Sequence, residues 1–241
     1  MGTRLNKYLA QCGLGSRRRV EELISSGRIT LNGKKTSRMG IVVGPEDLVE
    51  LDGRSISQPD KHVYLILNKP RGYITTMQDD RDRATIMDLI PEKFKRRGVY
   101  PVGRLDRDTL GLLLLTNDGD LAYRLTKPDF HIPKEYFVDI DRPLTSFDQN
   151  RISRGIYIRQ LNIKTRPLQI ECVDESCRRI RMMLIEGKKR QIRYTFMNLG
   201  YKVKRLERTA YGMLTLKRIK RGSIRVLTAF EIRLLRKQAG L

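Results

Sequence analysis

The chain has 241 residues, with 49 Lys+Arg against 27 Asp+Glu, and so a formal net charge of +22. That length exceeds the roughly 100–200 residues of a typical domain, which predicts one large or two unequal domains. No apolar run approaches the ~18 residues of a membrane-spanning helix, and so large a basic surplus points to a polyanionic partner, most simply nucleic acid. Leu5, Tyr8, Leu9 and Cys12 then recur at helical spacing. Gly13 and Gly15 end that helix, and Ser16 is a suitable N-cap for a second one carrying Val20, Leu23 and Ile24, which Gly27 stops. Ile29-Thr30-Leu31 enters a type I′ hairpin at Asn32-Gly33. Short strands at Ile41–Val43 and Leu48–Leu51 close a first unit near residue 58, and Ser55–Lys61 reads as a linker.

A second unit starts with an apolar strand, Val63–Leu67, broken by the basic turn Asn68-Lys69-Pro70-Arg71-Gly72. Asp79–Arg83 is a polar loop, followed by a short helix up to Pro91. Strands at Val99–Gly103 and Leu112–Thr116 flank a loop, and a helix with Leu121, Tyr123 and Leu125 follows. A helix over 146–154, strands at 156–158, 167–173 and 178–186, and a helix over 188–199 come next. Strands near 202–208, 213–217 and 223–227 precede a last helix opened by the capping box Thr228-x-x-Glu231. Strands in hairpin-like runs outnumber helices, which predicts an α+β class with a mostly antiparallel sheet.

The charge is uneven. Residues 178–241 hold 19 basic and 3 acidic residues, and residues 1–38 hold 9 and 2. Arg17, Arg18 and Arg19 fall in the first turn of the second helix, where cations oppose the helix dipole unless a phosphate docks there. Anionic membrane is the weaker partner, since no basic amphipathic helix carries Trp or Phe anchors. Three scattered Cys argue against a disulfide scaffold and suit a reducing cytoplasm; the N-terminal residues have no apolar core, so no signal peptide is expected. His62, His131, Cys12, Cys172 and Cys177 lack metal-ligand spacing, so no metal site is expected, and Cys172 and Cys177 read as small apolar or turn residues. Neither a Walker loop nor a strand-linked G-x-G-x-x-G occurs, which argues against nucleotide cofactors.

One acid stands out. Asp106, between Arg104 and Arg107, lies in a loop ahead of the apolar strand Leu112–Thr116. It could be a turn device bonding a backbone N–H, or a carboxylate at a sheet edge kept ionised by a nearby cation.

Two resemblances then organise the chain. "SRRRVEELI" followed by "GRITLNGKK", within residues 3–50, resembles the alpha-L RNA-binding module of a small-subunit ribosomal protein and several RNA-modifying enzymes. "GRLDRDTLGLLLLTNDGDLAYRLTKP" resembles the signature of RNA pseudouridine synthases, in the ribosomal-RNA branch that carries such a module. "LNKPRGYITT" precedes it, and "PKEYFVDI" and "EGKKRQIRYTFMNLGYKVKRLERTAYGMLTL" follow in the family's order.

The resemblance implies an alpha-L RNA-binding domain over 1–58 and a catalytic domain over 59–241. It implies Asp106 as catalytic aspartate, Tyr136 stacking on the target base and taking part in proton abstraction, Arg193 pairing with the catalytic carboxylate, and Leu206 packing on the base. Where the family often has Arg-Met after the "QIR" triplet, this chain has Tyr194-Thr195. Arg17, Arg18, Arg19, Lys69, Arg71, Arg104, Lys189 and Arg190 are the expected RNA-contacting cations.

The implied reaction is isomerisation of a uridine in ribosomal RNA, with large-subunit RNA favoured over small-subunit RNA. It needs no cofactor, because nothing is oxidised and no group is transferred away. A cytoplasmic monomer is expected. The alternatives are a non-enzymatic ribosome-assembly or RNA-binding factor and, more remotely, a DNA-binding regulator.

Overall fold

The computed structural model describes residues 2–15, 17–58 and 61–241, with the main chain alone for Arg17; the expected N-cap Ser16 and the linker residues Pro59 and Asp60 lie outside the described residues. Two compact units result. The first takes the chain up to Tyr64 together with Ile90–Tyr100 and Leu115–Gly119; the second comprises Leu65–Leu89, Pro101–Leu114 and Asp120–Leu241.

In the first unit, β1 (Thr3–Arg4) leads into α1 (Leu5–Gln11), and α2 (Arg17–Ser25) follows. Leu5, Leu9, Val20, Leu23 and Ile24 form one buried cluster with Ile29, Val43 and Val49, so the helical stripe in the sequence is the core-facing stripe. Strands β2 (Ile29–Leu31) and β3 (Lys34–Thr36) make the expected hairpin, with Asn32 and Gly33 both at positive φ as a type I′ turn requires. Strand β4 (Val42–Val43) pairs with β1, and β5 (Val49–Leu51) pairs with β2. A second tight turn at Asp52-Gly53 returns the chain as β6 (Arg54–Ser55), so Ser55 pairs with Glu50 instead of starting the linker.

The second unit is organised by a nine-stranded sheet. Strand β7 (Tyr64–Lys69) is buried along its whole length and runs on through Asn68 and Lys69, which the sequence assigns to a turn. A 3-10 turn at Ile86–Leu89 follows; α3 (Glu92–Lys95) belongs to the first unit, and β8 (Tyr100–Pro101) and β9 (Leu110–Thr116) come next in the chain. Leu112, Leu113, Leu114 and Leu115 are all fully buried, each contributing roughly 1.5–3 kcal/mol of burial. Helix α4 (Gly119–Thr126) buries Leu121 and Leu125, while Tyr123 is exposed.

Strand β10 (Lys134–Ile140) and α5 (Ser146–Ser153) follow, with Thr145 capping the helix. A small pair, β11 (Tyr157–Ile158) and β12 (Ile163–Lys164), precedes β13 (Gln169–Cys172) and β14 (Arg179–Leu184). The turn between β13 and β14 brings Cys172 and Cys177 close, with their Cα atoms 4.9 Å apart. Helix α6 (Gln191–Asn198), β15 (Val203–Tyr211), β16 (Leu214–Thr215), β17 (Ile224–Val226) and α7 (Ala229–Gln238) complete the unit. Helix α7 opens with the capping box expected at Thr228 and Glu231.

The sheet order is β13-β14-β10-β15-β9-β7-β17, with β8 on β9 and β16 on β15. The registered pairs are antiparallel except β15 with β9, where Glu207 faces Leu110 and Arg208 faces Gly111. The approach at Gly111 admits no side chain: a Cβ there would sit 2.2 Å from the Arg208 carbonyl oxygen. The α+β class with a mostly antiparallel mixed sheet is therefore the observed one. Below β10, β14 and β15, the residues Val138, Ile140, Met182, Leu184 and Leu206 pack on Ile192 and Phe196 of α6.

Candidate active site

A cleft of about 920 Å³ opens in the second unit beside the ends of β9, β10 and β15. Asp106, Tyr136, Leu206 and Arg104, drawn from separate segments, all line it. Three of the four residues with an implied catalytic or base-packing role thus meet at one place.

The Asp106 loop is held by its backbone. Thr109 N–H donates to the Asp106 carbonyl oxygen at 3.0 Å, closing a tight turn. Lys69, 0% exposed at the end of β7, points its ammonium under this turn. Its Nζ donates to the carbonyl oxygens of Thr109 at 2.9 Å and of Asp106 and Arg107 at 3.2 Å, and to Pro70 O at 3.1 Å. Gly72 N–H donates to Arg107 O at 2.9 Å, and Arg107 Nε returns a bond to Gly72 O at 3.2 Å. Thr75 Oγ1 donates to Leu105 O at 2.7 Å and accepts from Leu105 N–H at 3.3 Å. The "LNKPRGYITT" segment is thus the cradle of the "GRLDRDT" loop.

This corrects one expectation. Lys69 reads in the sequence as an RNA-facing cation, but it is buried and its three N–H groups are spent on main-chain oxygens. Burial pushes its pKa down to about 8, against the raising pull of Asp108 and Asp106. The turn reading of Asp106 is also half right: its carbonyl, not its carboxylate, makes the turn bond. Among the described residues the carboxylate takes no hydrogen bond or ion pair, although its charge acts on Lys69 and Arg193.

Arg193 comes off the first turn of α6 and donates to Asp108 O at 3.4 Å; it is not in direct contact with the Asp106 carboxylate. Burial first, and Arg190 next, lower its pKa, while Asp106 and Asp108 raise it. The expected pairing with the Asp106 carboxylate is not formed in this structure, where the two groups act on each other only through their charges. Arg71 is exposed, with its Nε 3.9 Å from an Asp108 carboxylate oxygen. Arg104, Lys189 and Arg190 are exposed on the cleft's edge. Helix α6 starts at Gln191 rather than near 188, because Arg190 takes a left-handed conformation and Gln191 reaches back to Glu186 and Lys188. The basic run 188–190 therefore forms a rim loop, and the Arg190 guanidinium lies 5.9 Å from the Tyr194 ring centre. In the first unit, Arg18 and Arg19 are exposed at the start of α2, and Arg19 pairs with Glu22 at 3.0 Å.

Two cleft residues escape the sequence reading. Arg208 on β15 is 3% exposed; its Nε donates to Leu112 O at 2.8 Å and its Nη2 is buried without a partner. Lys134 on β10 donates to Ile132 O at 2.9 Å, and burial, then Arg208, push its pKa down to about 8. The available signal is a cation in phase with a buried leucine, Leu206-x-Arg208, within a strand. Among the described residues, no three His, Cys, Asp or Glu side chains cluster as metal ligands do.

Comparison with known proteins fixes the class. The family model for RNA pseudouridylate synthase matches residues 63–198 and the S4 domain model matches residues 3–49. This chain belongs to the RNA pseudouridylate synthase family, a family of isomerases, and carries an RNA-binding S4 domain at its N-terminal end. It is 36% identical over 237 residues to the ribosomal large subunit pseudouridine synthase B of Bacillus subtilis (strain 168), covering 97% of this chain and 95% of that one. It is 36% identical over 231 residues to the dual-specificity RNA pseudouridine synthase RluF of Escherichia coli (strain K12), covering 95% and 77%. A crystal structure of a pseudouridylate synthase superposes with a TM-score of 0.70 at 28% identity, over 96% of this chain and 99% of that one. Among the described residues, no helix is long and apolar enough to cross a membrane.

Proposed function

We propose that this protein isomerises one uridine of large-subunit ribosomal RNA to pseudouridine, with Asp106 as the catalytic carboxylate. The observation that carries this reading is the Asp106 side chain itself: it has no partner among the described residues, lines a cleft, and rides on a loop pinned from below by Lys69. A carboxylate kept free of salt bridges stays available to react, and a pinned backbone holds it in place before substrate arrives. The family match and the large-subunit name of the Bacillus subtilis relative support the choice of reaction and of RNA.

The reaction breaks the bond from N1 to the anomeric carbon, turns the uracil in place, and joins C5 to that carbon. A proton leaves C5 and N1 gains one, so atoms and electrons balance without a cofactor. The target base must leave its stack at a cost of a few kcal/mol, which phosphate contacts offset. Tyr136 and Leu206 supply the aromatic wall and apolar side that retain the loose base, and Arg193 and Asp106 attract each other across the loop. Residues 1–58 act as the RNA-binding domain, with Arg17, Arg18 and Arg19 contacting phosphate, and residues 59–241 act as the catalytic domain. The protein works as a cytoplasmic monomer.

Pseudouridine mapping of ribosomal RNA from a strain lacking the gene tests this directly. Loss of one large-subunit pseudouridine, restored by the wild-type gene, is the expected result; an unchanged map of both subunits would refute it.

A further inference from the structure

Arg208 and Lys134 stand on neighbouring strands at the floor of the cleft. In the β10–β15 register Tyr136 faces Arg208 and Lys134 faces Tyr211, with a bulge at this point of the ladder. Strict alternation would send Arg208 and Tyr211 to opposite faces of β15, because they are three residues apart. The extra residue, Thr209, brings both into the cleft. Thr209 itself bonds Glu135 Oε1 at 2.6 Å, tying up that acid away from the two cations.

The Tyr211 ring is flanked by both, with the Arg208 guanidinium 5.0 Å and the Lys134 ammonium 5.3 Å from its centre. Tyr211 is fixed by its hydroxyl, which donates to Leu125 O at 2.5 Å. Among the described residues neither cation has a carboxylate partner, and Arg208 Nη2 has none of any kind. Desolvating two adjacent cations and leaving a guanidinium N–H pair unused is costly unless an anion arrives.

We infer that Arg208 and Lys134 form an oxyanion-binding floor, receiving a carbonyl oxygen of the target uracil as negative charge develops on the base. This rests on the pseudouridine synthase reading of the same cleft. The location favours the base over a backbone phosphate. Tyr136 is the cross-strand neighbour of Arg208 and Leu206 is two residues along the same strand, so a base held between them presents its edge to Arg208. A phosphodiester would have to bring two riboses to a floor walled by Leu206 and Tyr211.

The same floor serves every path open to Asp106. Attack on the anomeric carbon, or elimination across the sugar, leaves the N1–C1′ electron pair on uracil, spread over N1, O2 and O4. Addition of the carboxylate to C6 puts the charge on C5 and O4, so one of the same carbonyl oxygens carries it. When the C5–C1′ bond has formed, C5 loses its proton, N1 is protonated, and the base is neutral again. The floor therefore stabilises charge present only between substrate and product.

The test uses the full-length protein and a large-subunit rRNA transcript labelled with [5-³H]uridine. Tritium release is measured in a single turnover at saturating protein, and the Kd and its salt slope are measured on the same RNA. Arg208→Gln is expected to lower the rate about 100-fold, the scale of losing one oxyanion donor, with Kd and salt slope unchanged. Arg208→Lys, which keeps the charge, is expected to recover part of the loss. Lys134→Gln, at a half-buried position, is expected to lose about 10-fold and serves if Arg208→Gln does not fold. Wild-type rates in Lys134→Gln and in folded Arg208→Gln would overturn the inference while leaving the enzyme assignment intact. A weaker Kd and flatter salt slope at unchanged saturated rate would also overturn it, in favour of a phosphate site. Wild-type protein inert on ribosomal RNA would overturn the underlying reading and this inference with it.

Discussion

The rim and the floor of the cleft are both cationic, but they satisfy their charge differently. At the rim, Arg104, Lys189 and Arg190 are exposed on loops, where solvent and salt screen them. Beneath the Asp106 loop and on the floor, Lys69, Lys134 and Arg208 bind main-chain carbonyl oxygens instead of carboxylates. The difference matters for the acid between them. A lysine paired with the Asp106 carboxylate would neutralise it, whereas one bonded to the carbonyls of Asp106, Arg107 and Thr109 fixes the loop and leaves the carboxylate free. Rim cations thus suit affinity, and buried cations suit geometry and charge during reaction.

The contrast between rim and floor is most exposed at Lys69. Lys69→Met removes the donor shared by three loop carbonyls; it is expected to cost about 3 kcal/mol of stability in denaturant unfolding. Tritium release should fall at least 100-fold, by analogy with the cost of a small misplacement at a reacting centre, with RNA affinity retained. A Lys69→Met protein with wild-type rate would show that the loop needs no such support.

A smaller effect is expected at the rim. Changing Arg104, Lys189 and Arg190 together to Gln should weaken RNA binding at low salt and lower the slope of log K against log salt by about 0.7 for each phosphate no longer neutralised. The rate at saturating RNA should stay as it was. A lower rate with an unchanged slope would move these side chains from rim to chemistry.

The smallest effect is a pH dependence. The Lys69 pKa is about 8 in the folded chain against an ordinary 10.5, so between these values the unfolded chain binds more protons. Stability therefore rises with pH across about 8–10.5 and is lost again as pH falls through 8. Within this window the slope is at most about 1.4 kcal/mol per pH unit. Lys134 shares the shift and is present in both proteins, so the difference between wild type and Lys69→Met in pH-dependent unfolding isolates Lys69. Parallel curves would contradict it.

What the chain displays openly is what short-range chemistry decides. Asn32-Gly33 dictates its turn and Thr228 with Glu231 its cap, because both devices close within four residues. Asp106, Tyr136 and Leu206 are legible through the order of the motifs, and the fold brings them to one cleft. Lys69 misleads because its burial depends on carbonyls 37–40 residues away, invisible in a local basic turn. Arg208 and Tyr211 escape notice because a bulge at Thr209 breaks the period-2 pattern that would place them on opposite faces. Helix α6 begins later than its pattern suggests because Arg190 adopts the left-handed conformation, which basic composition does not advertise.

The central claim is that the unpaired Asp106 carboxylate performs the chemistry while the cations around it bind RNA, hold the loop and receive charge from the base. Asp106→Asn tests it most directly, with tritium release and RNA affinity measured on the same large-subunit transcript. The account predicts release below detection with Kd within about twofold of wild type, since the amide keeps the loop's backbone bonds but cannot act as a carboxylate. Retained release, or loss of binding in step with activity, would contradict it.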